Sequence, residues 1–148
     1  MNTVLPDLDS LLAYRNPRVI QKFQRDFPLL ADEAESLFVE LMKYLWLAQK
    51  QLHDRHARPS DKDLSFLLAI YDDMLNVDNM WHCFILCTQE YEKFCHHYFG
   101  RFLHHIPDAL ESLPPTKEEF AADLEKFALY VYDNLGADTV RTWFGMPV

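Results

Sequence analysis

The chain of 148 residues is 49% hydrophobic and 14% aromatic, a length and composition that predict one domain over residues 1–148 with one hydrophobic core. Its formal net charge of −9, from 14 basic and 23 acidic residues, argues against nucleic acid as a partner, because phosphate binding needs a concentrated basic patch. No apolar run approaches the ~20 residues of a membrane span, and the start MNTVLPDLDS lacks the features of a signal peptide, so we expect no membrane partner and a cytoplasmic location.

Apolar residues recur at helical spacing along almost the whole chain, which predicts an all-α bundle of about six to seven helices. After an N-terminal segment around LDSLLAY, Asn16 and Pro17 predict the start of a short helix, which Pro28 interrupts. Asp32 is then predicted to open the longest helix. The predicted buried stripe of that helix consists of Ala34, Leu37, Phe38, Leu41, Leu45, Ala48 and Leu52.

The middle of the chain predicts three further helices. Ser60, directly after a proline, is expected to cap a helix that carries the apolar residues of LSFLLAIY. The next helix is expected to begin at Asp72 or Asp73 and bears the first histidine of a histidine-rich stretch. Another helix is expected to begin at Thr88 and to stop near Gly100, because glycine tolerates the left-handed conformation common at helix ends.

The last third of the chain contains a capping-box pattern. Thr116 and Glu119 are spaced so that each side chain can reach the backbone N–H of the other residue. The amphipathic pattern that follows predicts a helix closed by Gly136. The aromatic tail VRTWFGM is expected to pack back onto the core.

Residues 78–107 hold five of the seven histidines and all three cysteines, so any site is expected here. Asp78, Trp81, His82 and Ile85 stand at i, i+3, i+4 and i+7 and therefore share one helical face. A carboxylate one turn before a histidine can accept its ring N–H, which leaves the other ring nitrogen as a metal ligand or base.

Further donors follow on the next predicted helix and after it. If the two helices form a hairpin, Cys95 can approach His82, and His104 and His105 arrive where the chain turns back. These nitrogen, sulfur and oxygen donors are of the types that bind zinc, iron or copper. We therefore predict a transition-metal or small-ligand site of His82, Cys95, His104 and His105, with Asp78 orienting the first histidine.

Three other interpretations remain open. The polar residues of this region can form a purely structural hydrogen-bond network, because buried polar groups need partners in any case. The acidic, aromatic surface can instead belong to an adaptor or inhibitor that binds a protein partner. Cys95 can also be a nucleophile activated by His82, although no phosphate-binding loop, nucleophile elbow or paired carboxylate indicates a reaction or substrate class.

The odd number of cysteines does not resemble a secreted disulfide framework. Cys83 and Cys87 are spaced four apart on one predicted helix, and small buried thiols are common in protein cores. We interpret both as reduced packing residues.

The stretch VDNMWHCFILCTQEYEKFCHHYFGRFLHHIP, from Val77 to Pro107, resembles the core motif of the glycine-rich domain-containing protein-like family. The positions that carry the resemblance are Asp78, Trp81, His82, Thr88, Tyr91, Cys95, Gly100, His104 and His105. The glycine-rich part that names the family is absent here, and Phe84 stands where larger plant-type relatives tend to have a second histidine. The resemblance implies no established activity, but polar donors at these positions strengthen the case for a site.

Overall fold

The computed structural model describes residues 4–105 and 116–145. All regular secondary structure in these ranges is helical, which confirms the predicted all-α class. The α-helices are α1 (Leu8–Leu12), α2 (Pro17–Asp26), α3 (Ala34–Ala57), α4 (Leu75–Leu86), α5 (Thr88–Phe99), α6 (Lys117–Leu135) and α7 (Ala137–Phe144). Short 3-10 helices span Pro28–Glu33, Lys62–Leu64 and Asp72–Met74. None of the described helices is both long and apolar enough to cross a membrane.

The ends of several helices follow from local sequence. Asn16 caps α2 by accepting a hydrogen bond from the Val19 N–H at 3.3 Å. Thr116 caps α6 by accepting from the Glu119 N–H at 3.1 Å, which confirms the Thr116 half of the predicted capping box, as the Asn16 bond confirms the cap predicted for α2. Helix α3 begins two residues later than predicted, because Asp32 lies within the 3-10 helix that follows α2.

The prediction of a helix after Ser60 is wrong. Only the 3-10 helix Lys62–Leu64 forms there, and the next helical element begins at Asp72. Backbone groups of the intervening segment find side-chain partners instead. The buried Gln51 amide donates to the carbonyl oxygen of Phe66 at 2.9 Å, and the Leu67 N–H donates to the carboxylate of Asp123 at 3.0 Å. These tertiary hydrogen bonds replace the helical ones that an apolar pattern alone would favour.

The chain divides into two compact units. Unit 1 comprises Met1–Gln49 and Leu75–Leu103, and unit 2 comprises Lys50–Met74 and His104–Val148. Helix α3 contributes residues to both units. The single domain expected from chain length therefore remains a prediction.

Unit 1 has an aromatic core around Phe84, a fully buried residue of α4. Its ring centroid lies 4.9 Å from that of Phe94, 5.0 Å from that of Tyr91 and 5.6 Å from that of Phe38. Helix α4 packs against both α2 and α5. The buried face of α4 is therefore held from two sides, and its opposite face carries the more exposed residues, among them His82.

Unit 2 has its own core, built mainly from α6 and α7. Phe127 of α6 is fully buried, and its ring centroid lies 5.1 Å from that of Phe144 and 5.7 Å from that of Phe66. Trp143 is 1% exposed. The described part of the predicted aromatic tail thus lies mainly in α7, and it does pack onto a core.

Candidate functional site

Asp78 and His82 lie one turn apart on α4 and meet as the spacing predicts. His82 Nε2 is 3.5 Å from Asp78 Oδ2, which is an ion-pair separation and longer than a good hydrogen bond. The side chain of His82 is 53% exposed and that of Asp78 is 21% exposed. The pair therefore lies at the surface of unit 1, where a ligand from solvent can reach it.

Trp81, the residue before His82, begins a series of buried hydrogen bonds. The Tyr91 hydroxyl accepts from Trp81 Nε1 at 3.0 Å and donates to the Leu103 carbonyl oxygen at 2.5 Å. The three residues are at most 8% exposed. These hydrogen bonds connect α4 to α5 and fix Leu103, the last residue of unit 1. They therefore position the point from which His104 and His105 continue.

Cys95 belongs to the same buried group as Tyr91 and Leu103. Its side chain is fully buried, and burial raises the pKa of its thiol, an effect that the Leu103 backbone and the Tyr91 hydroxyl offset only in part. A protonated, inaccessible thiol is a poor nucleophile and a poor metal ligand. The other cysteines match their interpretation as reduced packing residues: Cys83 is buried and Cys87 half-buried, and neither forms a disulfide.

The connector after α5 depends on the predicted glycine. Gly100 has a left-handed backbone with φ of 70°, and a Cβ there would stand 3.2 Å from Val4 Cγ2. Thr88 is the first residue of α5, but the cap residue before it makes no side-chain hydrogen bond. His104 is exposed and His105 half-buried, and they are the first two residues of unit 2. Pro107, which ends the resemblance, lies outside the described residues.

The predicted cluster thus separates into two groups within unit 1. Asp78 and His82 form a partly exposed carboxylate–imidazole pair, whereas Trp81, Tyr91 and Cys95 form a buried group around the Leu103 carbonyl. The buried group matches the structural interpretation of the motif. The exposed pair has the accessibility that ligand binding requires.

We expect the change Tyr91→Phe to lower the free energy of unfolding by about 1–3 kcal/mol, because the Trp81 N–H and the Leu103 carbonyl would lose a buried partner. Urea unfolding followed by circular dichroism measures the change. Tyr132→Phe is the matched control, since that ring is 49% exposed and its hydroxyl can bond to water. Equal effects of the two substitutions would contradict a stabilising role for the Tyr91 hydroxyl.

Unit 2 contains a group of interacting polar residues around the buried Asp54, which the sequence does not reveal. Asp54 is 8% exposed, and its Oδ2 accepts from Lys50 Nζ and from the Tyr130 hydroxyl, each at 2.6 Å. Arg58 lies 3.5 Å from the same oxygen. Burial alone would raise the pKa of Asp54, but the hydrogen bonds from Lys50 and Tyr130 outweigh it and lower that pKa.

Sequence reasoning missed this group because Asp54 and Tyr130 are 76 positions apart. The sequence of α3 does contain one indication of this polar group. Leu47, Gln51 and Asp54 stand at i, i+4 and i+7, and all three are buried, so the inward face of this helix continues through two polar residues. A carboxylate on an otherwise buried stripe requires partners.

A family model described as UCP032817-like matches residues 70–122. This range contains α4, α5 and the two histidines after them. No curated protein and no solved structure matches the chain. The match supports a small family without an established function, and it does not support the glycine-rich domain-containing protein-like family in particular.

Proposed function

We propose that the protein binds a divalent transition metal ion through Asp78, His82 and His105. These side chains supply one carboxylate oxygen and two imidazole nitrogens. That donor set suits zinc and also iron(II), for which two histidines and one carboxylate on one face are a common arrangement. The observation that carries the proposal is the geometry of the pair on α4.

The separation of the first two donors fits a shared metal. Two ligands bound to zinc at about 2.0–2.1 Å in a tetrahedral site lie about 3.3 Å apart. His82 Nε2 and Asp78 Oδ2 are 3.5 Å apart, so only a small adjustment of either side chain is needed. The proposal differs from the sequence prediction in giving Asp78 the role of a direct ligand.

His105 is proposed as the third ligand because of its position along the chain. Leu103 is held by the Tyr91 hydroxyl, which is in turn bonded to Trp81, the residue next to His82. Two residues of extended chain reach about 7 Å, and consecutive side chains point in opposite directions. One of the two histidines after Leu103 can therefore turn towards α4, and the half-buried His105 suits this role better than the exposed His104.

Cys95 is left out of the proposed ligand set. It is fully buried, and burial raises the pKa of its thiol, whereas metal binding requires the thiolate. Three protein ligands leave one coordination position of a tetrahedral metal open for water or a small ligand. The exposure of His82 keeps that position accessible from solvent.

Titration calorimetry of the untagged protein with zinc tests the proposal. We expect one zinc per chain, and we expect His82→Gln to weaken the affinity by about a hundredfold, because even residues behind the ligands change metal affinity by roughly 10- to 100-fold. His96→Gln, an exposed histidine of α5, is the matched control and should bind like the wild type. Absent binding, or equal affinity of the wild type and His82→Gln, would refute the proposal.

Three finer expectations from sequence stay predictions beside this proposal. They are the cytoplasmic location, the relationship to the glycine-rich domain-containing protein-like family, and the alternative role as an adaptor or inhibitor with a protein partner. The adaptor role would gain support if zinc did not bind and the full chain copurified with a stoichiometric partner.

A further inference from the structure

We propose that Cys83 and Cys87, two thiols at the end of α4, together bind copper(I), a soft metal ion. Both thiols are free, and both belong to unit 1. With about 3.6 residues per helical turn, they lie roughly 140° around α4 from Asp78 and His82. The inference is therefore independent of the metal site proposed above, and the two sites share no residue.

The helix holds the two thiols at a separation that suits a bridging metal ion better than a disulfide. Cys87 follows the last residue of α4, but its N–H donates to the Phe84 carbonyl oxygen at 3.0 Å, so it still belongs to the final turn. Side chains four residues apart on a helix have Cβ atoms about 5–6 Å apart, whereas a disulfide needs about 3.5–4.5 Å. A linear sulfur–metal–sulfur unit spans about 4.6 Å if each bond has the length of a zinc–thiolate bond, a distance that two sulfurs on such Cβ atoms can reach.

The number of available donors favours copper(I) over zinc. Within the described part of the chain, the one group of three metal-ligating side chains whose ligand atoms lie within 4.8 Å of one another is that of Asp78, His82 and His105. Cys83 and Cys87 therefore form no such group with a third donor, and zinc takes three or four protein ligands. Thiolates select copper(I) among the common metal ions, and this ion is stable with two thiolates in a linear arrangement.

The α2 residues around Cys83 carry a net positive charge. Helix α2 packs against α4, and Cys83 Sγ lies 4.0 Å from Asp26 Oδ2. The carboxylate of Asp26 lies 2.7 Å from Lys22 Nζ and 3.8 Å from Arg25 Nε, so this group has two positive charges and one negative charge. When both thiols release their protons to water and bind copper(I), the complex carries one negative charge, which the excess positive charge stabilises.

Cys83 differs from Cys95 in both charge and access. Burial raises the pKa of each thiol, but Lys22 and Arg25 oppose this effect at Cys83, whereas the groups that oppose it at Cys95 are uncharged. Cys83 is 3% exposed, and the neighbouring Lys22 and Arg25 side chains are 21% and 75% exposed. Movement of these surface side chains can therefore admit an ion to Cys83, and its partner Cys87 is already half-buried.

Anaerobic titration of the full chain with copper(I), in competition with the chelator bathocuproine disulfonate, tests this inference. We expect one tightly bound copper(I) per chain. Cys83→Ala and Cys87→Ser should each weaken the affinity by at least about a hundredfold, because each removes a direct ligand and even residues behind the ligands change metal affinity by roughly 10- to 100-fold. X-ray absorption at the copper edge should show two sulfur neighbours.

Cys95→Ala is the matched control, since it removes the third thiol of the chain and should leave copper(I) binding unchanged. His82→Gln should also bind copper(I) like the wild type, so failure of the proposed zinc site and failure of this site are distinguishable. If Cys83→Ala does not fold, as judged by circular dichroism, Cys87→Ser at the half-buried position decides the question. Absent copper(I) binding, unchanged affinity in Cys87→Ser, lost affinity in folded Cys95→Ala or His82→Gln, or nitrogen in place of sulfur around the copper would overturn the inference.

Discussion

The substitution Phe84→Ala is expected to lower the free energy of unfolding by about 3–5 kcal/mol. Phe84 is fully buried, and its ring lies within 5.6 Å of the ring centroids of Phe38, Tyr91 and Phe94. Removing it deletes these contacts and leaves a cavity that rigid neighbours fill only in part. Because whole domains are stable by only about 5–15 kcal/mol, the change should be plain in urea unfolding.

Leu86→Ala on the same helix is the control for this substitution. Leu86 is 68% exposed, so its replacement should change the free energy of unfolding by less than about 0.5 kcal/mol. A loss below about 1 kcal/mol for Phe84→Ala would contradict the assignment of Phe84 to the core.

The substitution Asp54→Ala is expected to cost about 3 kcal/mol at neutral pH, because the buried Tyr130 hydroxyl and the Lys50 ammonium would lose their shared acceptor. Both donate to Asp54 Oδ2 at 2.6 Å. Urea unfolding of the wild type and the variant measures the difference. Asp133→Ala, at an exposed acid of α6, should change stability by less than about 0.5 kcal/mol.

The difference between wild type and Asp54→Ala should also depend on pH. The hydrogen bonds from Lys50 and Tyr130 lower the pKa of Asp54 in the folded protein, so this contribution is fully present above the unfolded pKa of about 3.9. It is lost as the pH falls through the lower folded pKa. We therefore expect a constant difference between about pH 7 and pH 5 and a smaller one below about pH 3. A difference that grows on acidification would contradict this assignment.

Features that depend on neighbouring residues were predictable from sequence. The cap at Asn16, the cap at Thr116 and the meeting of Asp78 with His82 all follow from spacings of three or four residues on a helix. The end of α5 at Gly100 follows from the left-handed backbone that glycine accepts readily.

Features that depend on distant residues were not predictable. The segment after Ser60 is not helical beyond one turn, because Gln51 and Asp123 satisfy its backbone from other helices. The grouping of Asp54 with Tyr130 joins residues 76 positions apart. For Cys95 the helical pattern correctly indicates the apolar face, but it does not show that burial raises the pKa of the thiol.

The most direct test of the proposed metal site is a nitrogen NMR spectrum of the histidine imidazoles, recorded before and after addition of one equivalent of zinc. Direct coordination changes the resonance of the ligating ring nitrogen, so the spectrum identifies which histidines bind. The proposal predicts large changes at His82 and His105. The histidines expected to remain unchanged are His53, His56, His96, His97 and His104. An unchanged His82 resonance in the presence of bound zinc would contradict the proposed site.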